Sequence, residues 1–386
     1  MSLQKNGASL TKTLAKALSF GAALLALTGS ANALDAFYPY CCPELYRPDP
    51  CPDSCNYFLS NYAVYADFLY WQVNPEGLKY ARKGGLSQGP DVEAVCGHIA
   101  TASCEAEPGF KIGTVLDLGC CEWDFYAQYT WLGQCFSDSL SNPAETFEGL
   151  LIPGTEDLQP LIYNQGLGPD QDFPLTLAKG EWDSSFNVLD FGLGRTFVVN
   201  DCFDFRPHLG FKATWQKLKY NVRYEGLIVV EEETFLPVAV DIRNTTDFCG
   251  VGLRGGFDAA WRFAPCFSVA GGIAAAAVWS DACVDREDFY SINGGQATKN
   301  IDLHMNHCAL IPVMELLLGL QFDTVWCNTD VFVFIGWENQ VWINLNRFIF
   351  IENSGLEGNV GNNSYQFGPA GNVAYQGLTL RAGCGF

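Results

Sequence analysis

The chain has 386 residues, with 43 aspartates and glutamates against 22 lysines and arginines, which gives a formal net charge of −21. This acidic balance argues against nucleic acid or anionic lipid headgroups as partners, because both carry negative charge themselves. Aromatic residues make up 14% of the chain and charged residues only 17%. The 16 cysteines favour an exported protein over one that stays in a reducing cytosol.

The first 33 residues have the features of a secretory signal peptide. Three lysines precede an apolar run over residues 17–27, and Ala31-Asn32-Ala33 has the small-residue pattern of a cleavage site. We therefore expect the mature chain to begin at Leu34. Removal of the three lysines lowers the formal net charge from −21 to −24.

Residues 34–60 are rich in cysteine and proline. They include Cys41, Cys42, Cys51 and Cys55 together with five prolines, and the prolines exclude a helix or a central strand. We predict an extended periplasmic arm that can form disulfides. The alternative is a flexible linker in which the thiols are incidental.

The last run, residues 372–386, alternates with the period of a β-strand. Leu378, Leu380, Ala382 and Cys384 fall on one face, opposite Thr379 and Arg381. The chain ends on Phe386, and an alternating strand with an aromatic end resembles the closing strand that the barrel-assembly machinery recognises in bacterial outer membranes. The alternative is an edge strand of a soluble sandwich.

Nine further runs alternate in the same way. The most apolar stretch, Phe267–Trp279, is about 13 residues long, which suits a membrane-spanning strand but is too short for a spanning helix. Alternation of apolar and polar residues over about ten positions is typical of transmembrane barrel strands. The ten predicted strands cover residues 61–72, 108–117, 122–132, 184–198, 203–224, 248–263, 266–280, 308–322, 331–345 and 372–386.

The connections between these runs alternate in length, as they do in outer-membrane barrels with short periplasmic turns and long outer loops. The short ones are Gly119–Glu122, Asn200–Asp204, Ala264–Cys266 and Asp323–Asp330. The long ones cover residues 73–107, 134–183, 225–247, 281–306 and 346–372. We therefore predict an all-β fold, an antiparallel up-and-down transmembrane barrel over residues 61–386 with about ten strands.

Two features of this barrel stay open. The segment Gly77–Arg82 could form part of a further hairpin, so that 12 or 14 strands are possible. Eight tryptophans near strand ends could form aromatic girdles at the membrane surfaces or belong to an ordinary core. They are Trp71, Trp123, Trp131, Trp261, Trp279, Trp326, Trp337 and Trp342.

Several runs resemble the pore-forming major outer-membrane protein family of Legionella and chlamydia-related bacteria. The matching pieces are ADFLYWQ (66–72), PGFKIGTVLDL (108–118), WDFYAQYTWL (123–132), NVLDFGLGR (187–195), RPHLG (206–210), GLQFDTVWC (319–327) and QGLTL (376–380). The resemblance implies a channel-forming barrel and an abundant surface protein in the outer membrane. The cysteine content is more similar to the chlamydial envelope, in which disulfides cross-link outer-membrane proteins.

The inward-facing sets supply the candidates for residues that line the lumen. They are Asp67, Lys111, Asp124, Asp190, Arg206, His208, Lys212, Arg254, Asp258, Arg262, Glu315, Glu338 and Arg381. A lumen with charges of both signs is either filled with water or closed by its own side chains. The function predicted from the sequence is a small aqueous pore for hydrophilic solutes. The alternatives are a closed-lumen structural or adhesive barrel and a soluble secreted sandwich.

No sequence pattern indicates an enzyme, a cofactor or a metal site. The chain contains neither G-x-S-x-G nor HExxH nor a phosphate-binding loop. His304 and His307 lie in a predicted outer loop, where solvation is the simplest reading. His208 could face Asp258 across the lumen as an acid–base pair, but a hydrolytic role is not expected.

The cysteines predict covalent partners. Most gather in the arm and in the short turns at the periplasmic end, where exposed pairs oxidise. We expect outer-membrane lipid, the barrel-assembly machinery, and other copies or cysteine-rich envelope proteins as partners; the alternative for each turn cysteine is a small buried apolar residue. The disulfide candidates are Cys41, Cys42, Cys51, Cys55, Cys96, Cys104, Cys120, Cys121, Cys202, Cys266, Cys327 and Cys384.

Overall fold

The computed structural model describes most of the segment that was predicted to form the barrel. The described residues are 61–83, 98–101, 105–119, 122–142, 145–147, 150–152, 158–160, 175–200, 202–231, 234–264, 266–326, 329–353 and 363–386. The predicted signal peptide and the cysteine-rich arm lie outside them.

The described residues form sixteen strands. In chain order they are β1 (Asn61–Pro75), β2 (Lys79–Lys83), β3 (His98–Thr101), β4 (Ala106–Asp117), β5 (Trp123–Ser141), β6 (Glu145–Phe147), β7 (Leu150–Ile152), β8 (Leu158–Pro160), β9 (Leu175–Arg195), β10 (Phe197–Asn200), β11 (Phe203–Glu231), β12 (Thr234–Ala264), β13 (Phe267–Ile292), β14 (Thr298–Trp326), β15 (Thr329–Asn353) and β16 (Asn363–Gly385). Within this part of the chain, no helix has the length and apolar character needed to cross a membrane.

Ten of these strands close into one antiparallel barrel. Their order around the wall is β1, β4, β5, β9, β11, β12, β13, β14, β15 and β16, and β16 then pairs with β1. At the closure Phe386 and Tyr62 exchange two backbone hydrogen bonds of 2.9 and 3.2 Å, and their rings stack 5.2 Å apart. The prediction of an antiparallel barrel of ten strands is confirmed.

The segment Gly77–Arg82 adds no strand to the barrel wall. It contributes β2, which pairs with β3 and β8 in a separate three-stranded sheet. The possibility of 12 or 14 barrel strands is therefore wrong. The short runs around residue 80 alternate like a spanning strand, but they are too short to cross the lipid.

Several predicted outer loops are strand. β11 to β14 contain 29, 31, 26 and 29 residues, so that most of 225–247 and 281–306 continues the wall. They were predicted as loops because the lipid-facing pattern of apolar outward and polar inward residues inverts above Trp279 of β13. Beyond that point the outward side chains, such as Asp281 and Asp285, are polar, and the inward ones, such as Ala282 and Val284, are buried and apolar.

The lipid-facing surface is a band of exposed apolar side chains on the lower halves of the strands. Six of the eight predicted girdle tryptophans face outward, together with Trp215, but Trp71 and Trp342 are fully buried inside the barrel. The girdle prediction is wrong for these two residues, since both lie on the inward parity of their strands. The most exposed outward residues include Leu209, Leu253, Trp261, Trp279, Met314, Leu318 and Trp337.

β15 leaves the wall in its upper half. β14 and β15 pair only from Val313↔Trp342 downward. Asn344 has a positive φ of 56° within a register shift. Leu345 behind it is buried, although the parity of the strand below would turn it toward lipid. Above this bulge β15 packs inside the barrel, where Thr246 Oγ1 donates to the Arg347 carbonyl (2.9 Å) and Arg286 Nη1 to that of Ile349 (2.8 Å).

The lipid band predicts a position-dependent effect of charge. Leu318→Arg should lower the free energy of unfolding by about 2–4 kcal/mol, because the guanidinium would enter the hydrocarbon region. Asn306→Arg, on the same face of the same strand but above the apolar band, should cost less than about 0.5 kcal/mol. Urea unfolding of both variants in lipid vesicles tests this, and equal losses would contradict the assigned band.

Candidate functional site in the barrel lumen

The structure places all thirteen predicted lumen residues on the inward face of their strands. Four of them are nearly inaccessible to solvent, namely Asp67, Lys111, Asp190 and Lys212. Because side chains alternate strictly along a strand, each is held inward by the register that turns its apolar neighbours toward lipid. The inward set forms the layers described below.

The lowest layer consists of two arginine clusters near the periplasmic end. Arg206 on β11 donates to Asp124 on β5 and, at 2.7 Å, to Asp258 on β12. Arg262 pairs with Asp204, a residue that was predicted to lie in a turn. The strand β9 between β5 and β11 makes room for the first cluster, because a Cβ on Gly194 would lie 2.5 Å from the Arg206 guanidinium.

The second layer is a buried ion cluster on four strands. Lys212 Nζ lies 2.7 Å from Asp190 Oδ1 and 2.8 Å from Glu315 Oε1, and Arg254 Nη2 lies 2.7 Å from Glu315 Oε2. Lys212 on β11 and Glu315 on β14 have two strands between them. These contacts therefore cross the interior, and each buried charge has an opposite partner as its desolvation requires.

Two further ion pairs lie on the other side of this layer. Lys111 Nζ on β4 lies 2.8 Å from Glu338 Oε1 on β15, again with two strands between them. Glu338 also accepts from Gln340 and Thr379. Arg381 Nε lies 2.8 Å from Asp67 Oδ1 on the neighbouring strand β1. Together with Asp204, each charged candidate therefore has at least one partner of opposite charge.

His208 belongs to the ion clusters and does not face an acid across the lumen. It lies on β11 beside Gly256 of β12, and its Nε2 is 4.0 Å from Asp258 Oδ1. Nδ1 lies 3.4 Å from both the Tyr126 hydroxyl and Arg254 Nη1. An arginine nitrogen can only donate, so Nδ1 accepts and the ring proton is on Nε2. The predicted cross-lumen geometry is wrong because β11 and β12 are neighbours.

His304 and His307 lie in β14 and not in a loop. His304 faces outward, with Nδ1 at 2.5 Å from Asp285 Oδ1 on β13. Among the described residues, no three or more His, Cys, Asp and Glu side chains are arranged to hold a metal ion.

Opposite walls touch above the charged layers. The Tyr375 hydroxyl on β16 donates to Gln216 Oε1 on β11 at 3.1 Å, and these strands are five positions apart in a barrel of ten. The ring of Phe186 on β9 lies 5.8 Å from that of Trp342 on β15, also five positions away, and 4.2 Å from that of Tyr375. The two contacts span the full diameter of the lumen.

The outer half of the barrel encloses an apolar core. Its large members include Trp182, Phe136, Tyr220, Phe348 and Tyr224. A missed feature is the buried ion pair of Arg286 and Asp288, at 2.8 Å. The sequence contains a signal for this pair, because both residues continue the inward-facing alternation of β13 beyond the predicted end of the strand.

The small sheet of β2, β3 and β8 packs on the core at the outer end of the barrel. Tyr80 points from β2 into the core, where its hydroxyl donates to Asp138 Oδ2 (3.1 Å) and its carbonyl accepts from the Tyr224 hydroxyl. A Cβ on Gly180 would lie 2.7 Å from the Tyr80 ring, so glycine is needed for this close approach. Burial, reinforced by the nearby Asp138 carboxylate, raises the pKa of the Tyr80 phenol.

The predicted disulfide candidates are placed as follows. Cys202 is an exposed free thiol at the periplasmic end, and Cys384 is a buried free thiol on the closing strand. Cys266 is disulfide-bonded. The remaining candidates lie outside the described residues. They are Cys41, Cys42, Cys51, Cys55, Cys96, Cys104, Cys120, Cys121 and Cys327.

Comparison with known proteins gives a family match and several similar solved structures. Residues 58–379 match the protein family described as the Legionella pneumophila major outer membrane protein precursor. No curated protein sequence matches the chain. Among solved structures it is similar to the outer membrane protease OmpT from Escherichia coli, at 12% identity over 86% of this chain and 99% of that one, with a TM-score of 0.36.

A FadL homologue from Pseudomonas aeruginosa matches at 8% identity over 84% of this chain and 90% of that one, with a TM-score of 0.26. The Pseudomonas putida toluene transporter TodX matches at 8% identity over 84% and 88% of the two chains, with a TM-score of 0.20. At these TM-scores the likeness to solved structures carries no further inference.

The buried ion pairs predict that removing one partner costs much more unfolding free energy than removing both. Lys111→Met should cost about 3–5 kcal/mol of unfolding free energy, because Glu338 would stay buried without a counter-charge. The double variant Lys111→Met with Glu338→Met should regain most of this loss. Lys217→Met, which removes a half-exposed pair with Asp247, should cost less than about 1 kcal/mol. Equal losses for the single and double variants would contradict the buried pairing.

Proposed function

Because the chain belongs to the Legionella pneumophila major outer membrane protein family and forms an outer-membrane barrel, we propose that it is a structural envelope protein with a closed lumen. The hydrogen bond between Tyr375 and Gln216, on opposite strands, carries this proposal. A barrel of about eight strands is just filled by its side chains, and sixteen strands leave an aqueous channel. Ten strands lie near the filled end of this range.

Three successive barriers support the closed lumen. The ion clusters pair the charged side chains of the lower half with one another, the rings of Phe186, Trp342 and Tyr375 occupy the middle, and the apolar core with its Tyr80 cap occupies the outer half. Water and hydrophilic solutes gain nothing by entering an apolar core, since the groups that would bind them are already paired.

The aqueous pore remains the second candidate function. The charged lower half supports it, because residues of both signs point toward the barrel axis as they would in a water-filled channel. A pore would require the rings of the middle layer to separate and the Tyr80 cap to leave the mouth. The closed lumen and the pore therefore differ in one measurable property, the ion conductance of the folded protein.

Planar-bilayer recordings test the closed lumen. The refolded mature chain, with folding verified by heat-modifiable gel mobility, should give no stepwise conductance under conditions in which a general porin conducts. Its filled lumen offers ions no path that avoids desolvation. Regular ohmic steps from the folded protein, absent from the detergent control, would support the pore and contradict the closed lumen.

We also propose that cysteines at the periplasmic end join the barrel to other copies or to cysteine-rich envelope proteins. Cys202 supports this, because it is an exposed free thiol in a turn at the end of the barrel where both chain termini of the fold lie. A closed barrel has no unpaired edges within the lipid and does not need disulfides to stand there. The thiols that the barrel does not need for its own stability are then available to form disulfides with neighbouring proteins.

Non-reducing gels of isolated envelopes test this linkage. They should show high-mass species that collapse to monomer with reductant, because the periplasm is oxidising. Replacing Cys202 and the four arm cysteines with serine should remove most of these species, whereas Cys308→Ser on the outer part of β14 should not. Monomer alone, in samples blocked with a thiol reagent and run without reductant, would contradict the proposal.

A further inference from the structure

Arg195 is the single charged side chain on the lipid-facing positions of the described barrel wall. It is the last residue of β9 and has the outward parity of Phe191 and Leu193. The described outward positions of the other nine wall strands carry no Asp, Glu, Lys or Arg within the apolar band. Because a charge in hydrocarbon destabilises a barrel, Arg195 has to lie near a membrane surface.

The Arg195 guanidinium has no acidic partner in the described part of the chain. Its Nε is buried and donates to no acceptor there. Asp124, which follows the ladder partner Trp123 on β5, faces inward and pairs with Arg206 instead. An arginine keeps its charge and has several N–H donors, so these donors require acceptors from outside the barrel.

Two aromatic rings hold the guanidinium toward the periplasmic end. Its Cζ lies 4.8 Å from the ring centroid of Phe197, which is closer to the periplasmic turn, and 6.0 Å from that of Trp123. Both rings are exposed on the outward face. Aromatic side chains form belts at the headgroup level of membranes, and long basic side chains extend toward the same level. Arg195 therefore reaches the headgroups of the periplasmic leaflet.

Apolar side chains lie directly above the guanidinium. Leu193 precedes Arg195 on the outward face, and Leu209 is the ladder partner of Leu193 on β11. Both leucines are exposed. A lipid whose headgroup contacts Arg195 would therefore lay its acyl chains over these leucines. The wall thus offers a cation at headgroup depth and hydrocarbon contacts above it.

We propose that Arg195, held by Trp123 and Phe197, binds the phosphate of an anionic phospholipid in the periplasmic leaflet. The flat guanidinium donates to two phosphate oxygens at once, which a lysine ammonium cannot do with the same geometry. The two rings restrict the guanidinium before the lipid arrives, so that binding costs less conformational entropy. The site rests on the placement of the barrel in the outer membrane and is independent of whether the lumen conducts.

The charge around the site selects the headgroup. Although the chain as a whole has a net charge of −21, its described outward face at this level carries a single charge, which is positive. A zwitterionic headgroup adds an ammonium group beside its phosphate, and no described outward position of the apolar band carries a carboxylate to bind that group. An anionic headgroup needs only the cation that Arg195 supplies. We therefore expect phosphatidylglycerol to bind better than phosphatidylcholine.

Native mass spectrometry of the full mature protein, refolded in a neutral detergent, tests the site. With phosphatidylglycerol and phosphatidylcholine added in equal amounts, the barrel should retain a single phosphatidylglycerol in preference to phosphatidylcholine by about tenfold. Arg195→Gln should abolish this preference, and Arg195→Lys should restore only part of it. Equal retention of phosphatidylglycerol by the wild type and Arg195→Gln would overturn the proposal, as would equal retention of the two lipids by the wild type.

Two further variants separate the site from general charge attraction. Lys217→Gln removes an outward cation above the apolar band, where it pairs with Asp247, and should leave lipid retention unchanged. Phe197→Leu keeps the charge of Arg195 but releases its guanidinium, and should weaken retention severalfold. Heat-modifiable mobility verifies that each variant folds. A loss in Lys217→Gln as large as that in Arg195→Gln would reduce the effect to net charge and contradict the proposal.

Inorganic phosphate distinguishes a lipid site from a site for the free anion. Because the acyl chains contact Leu193 and Leu209, an excess of inorganic phosphate should not displace the bound phosphatidylglycerol. Displacement, together with binding of phosphate alone to the wild type but not to Arg195→Gln, would assign the free anion to Arg195 and overturn the lipid assignment.

Discussion

The contact of opposite walls is the constraint on which the interior depends. Tyr375 and Gln216 are five strands apart and yet only 3.1 Å separates their polar atoms. In a barrel of ten strands, large side chains from both walls can meet at the axis, and smaller ones would leave a void. The positions of Phe186 and Trp342 follow from the same requirement, because each ring fills the space that the opposite wall leaves open.

Below this contact, the charged layers follow from the cost of burying ions. Each of the fully enclosed groups, such as Lys212 and Asp190, has a partner of opposite charge, since an unpaired ion would destabilise the interior by several kcal/mol. Above it, the barrel passes from a lipid-facing wall to a sheet that faces water. Its outward residues become polar, and the apolar core moves inside. The molecule is thus a membrane barrel continued outward by a water-exposed sheet with its own core.

The sequence predicts the strand count and the inward parity, because a wall between lipid and a polar lumen imposes alternation over about ten residues. It misses the outer halves of β11 to β14, where the outward face turns polar and the pattern inverts at Trp279. The partners inside the lumen are also not predictable. Lys111 and Glu338 are 227 residues apart, and their pairing depends on the stagger of the strands. The bulge at Asn344, which sends β15 inward, is a backbone conformation without a distinctive pattern around it.

The accessibility of a lumen side chain to a small charged reagent tests the closed interior most directly. Ser184 lies on the inward face of β9 between Trp182 and Phe186 and is 3% exposed. In a background whose native cysteines are replaced by serine, Ser184→Cys should resist a membrane-impermeant cationic thiol reagent in folded protein and react once unfolded. Asp302→Cys, on the outer surface, should react at once in both states. Rapid labelling of Ser184→Cys in the folded barrel would show that water and ions reach the middle of the lumen, which contradicts the account.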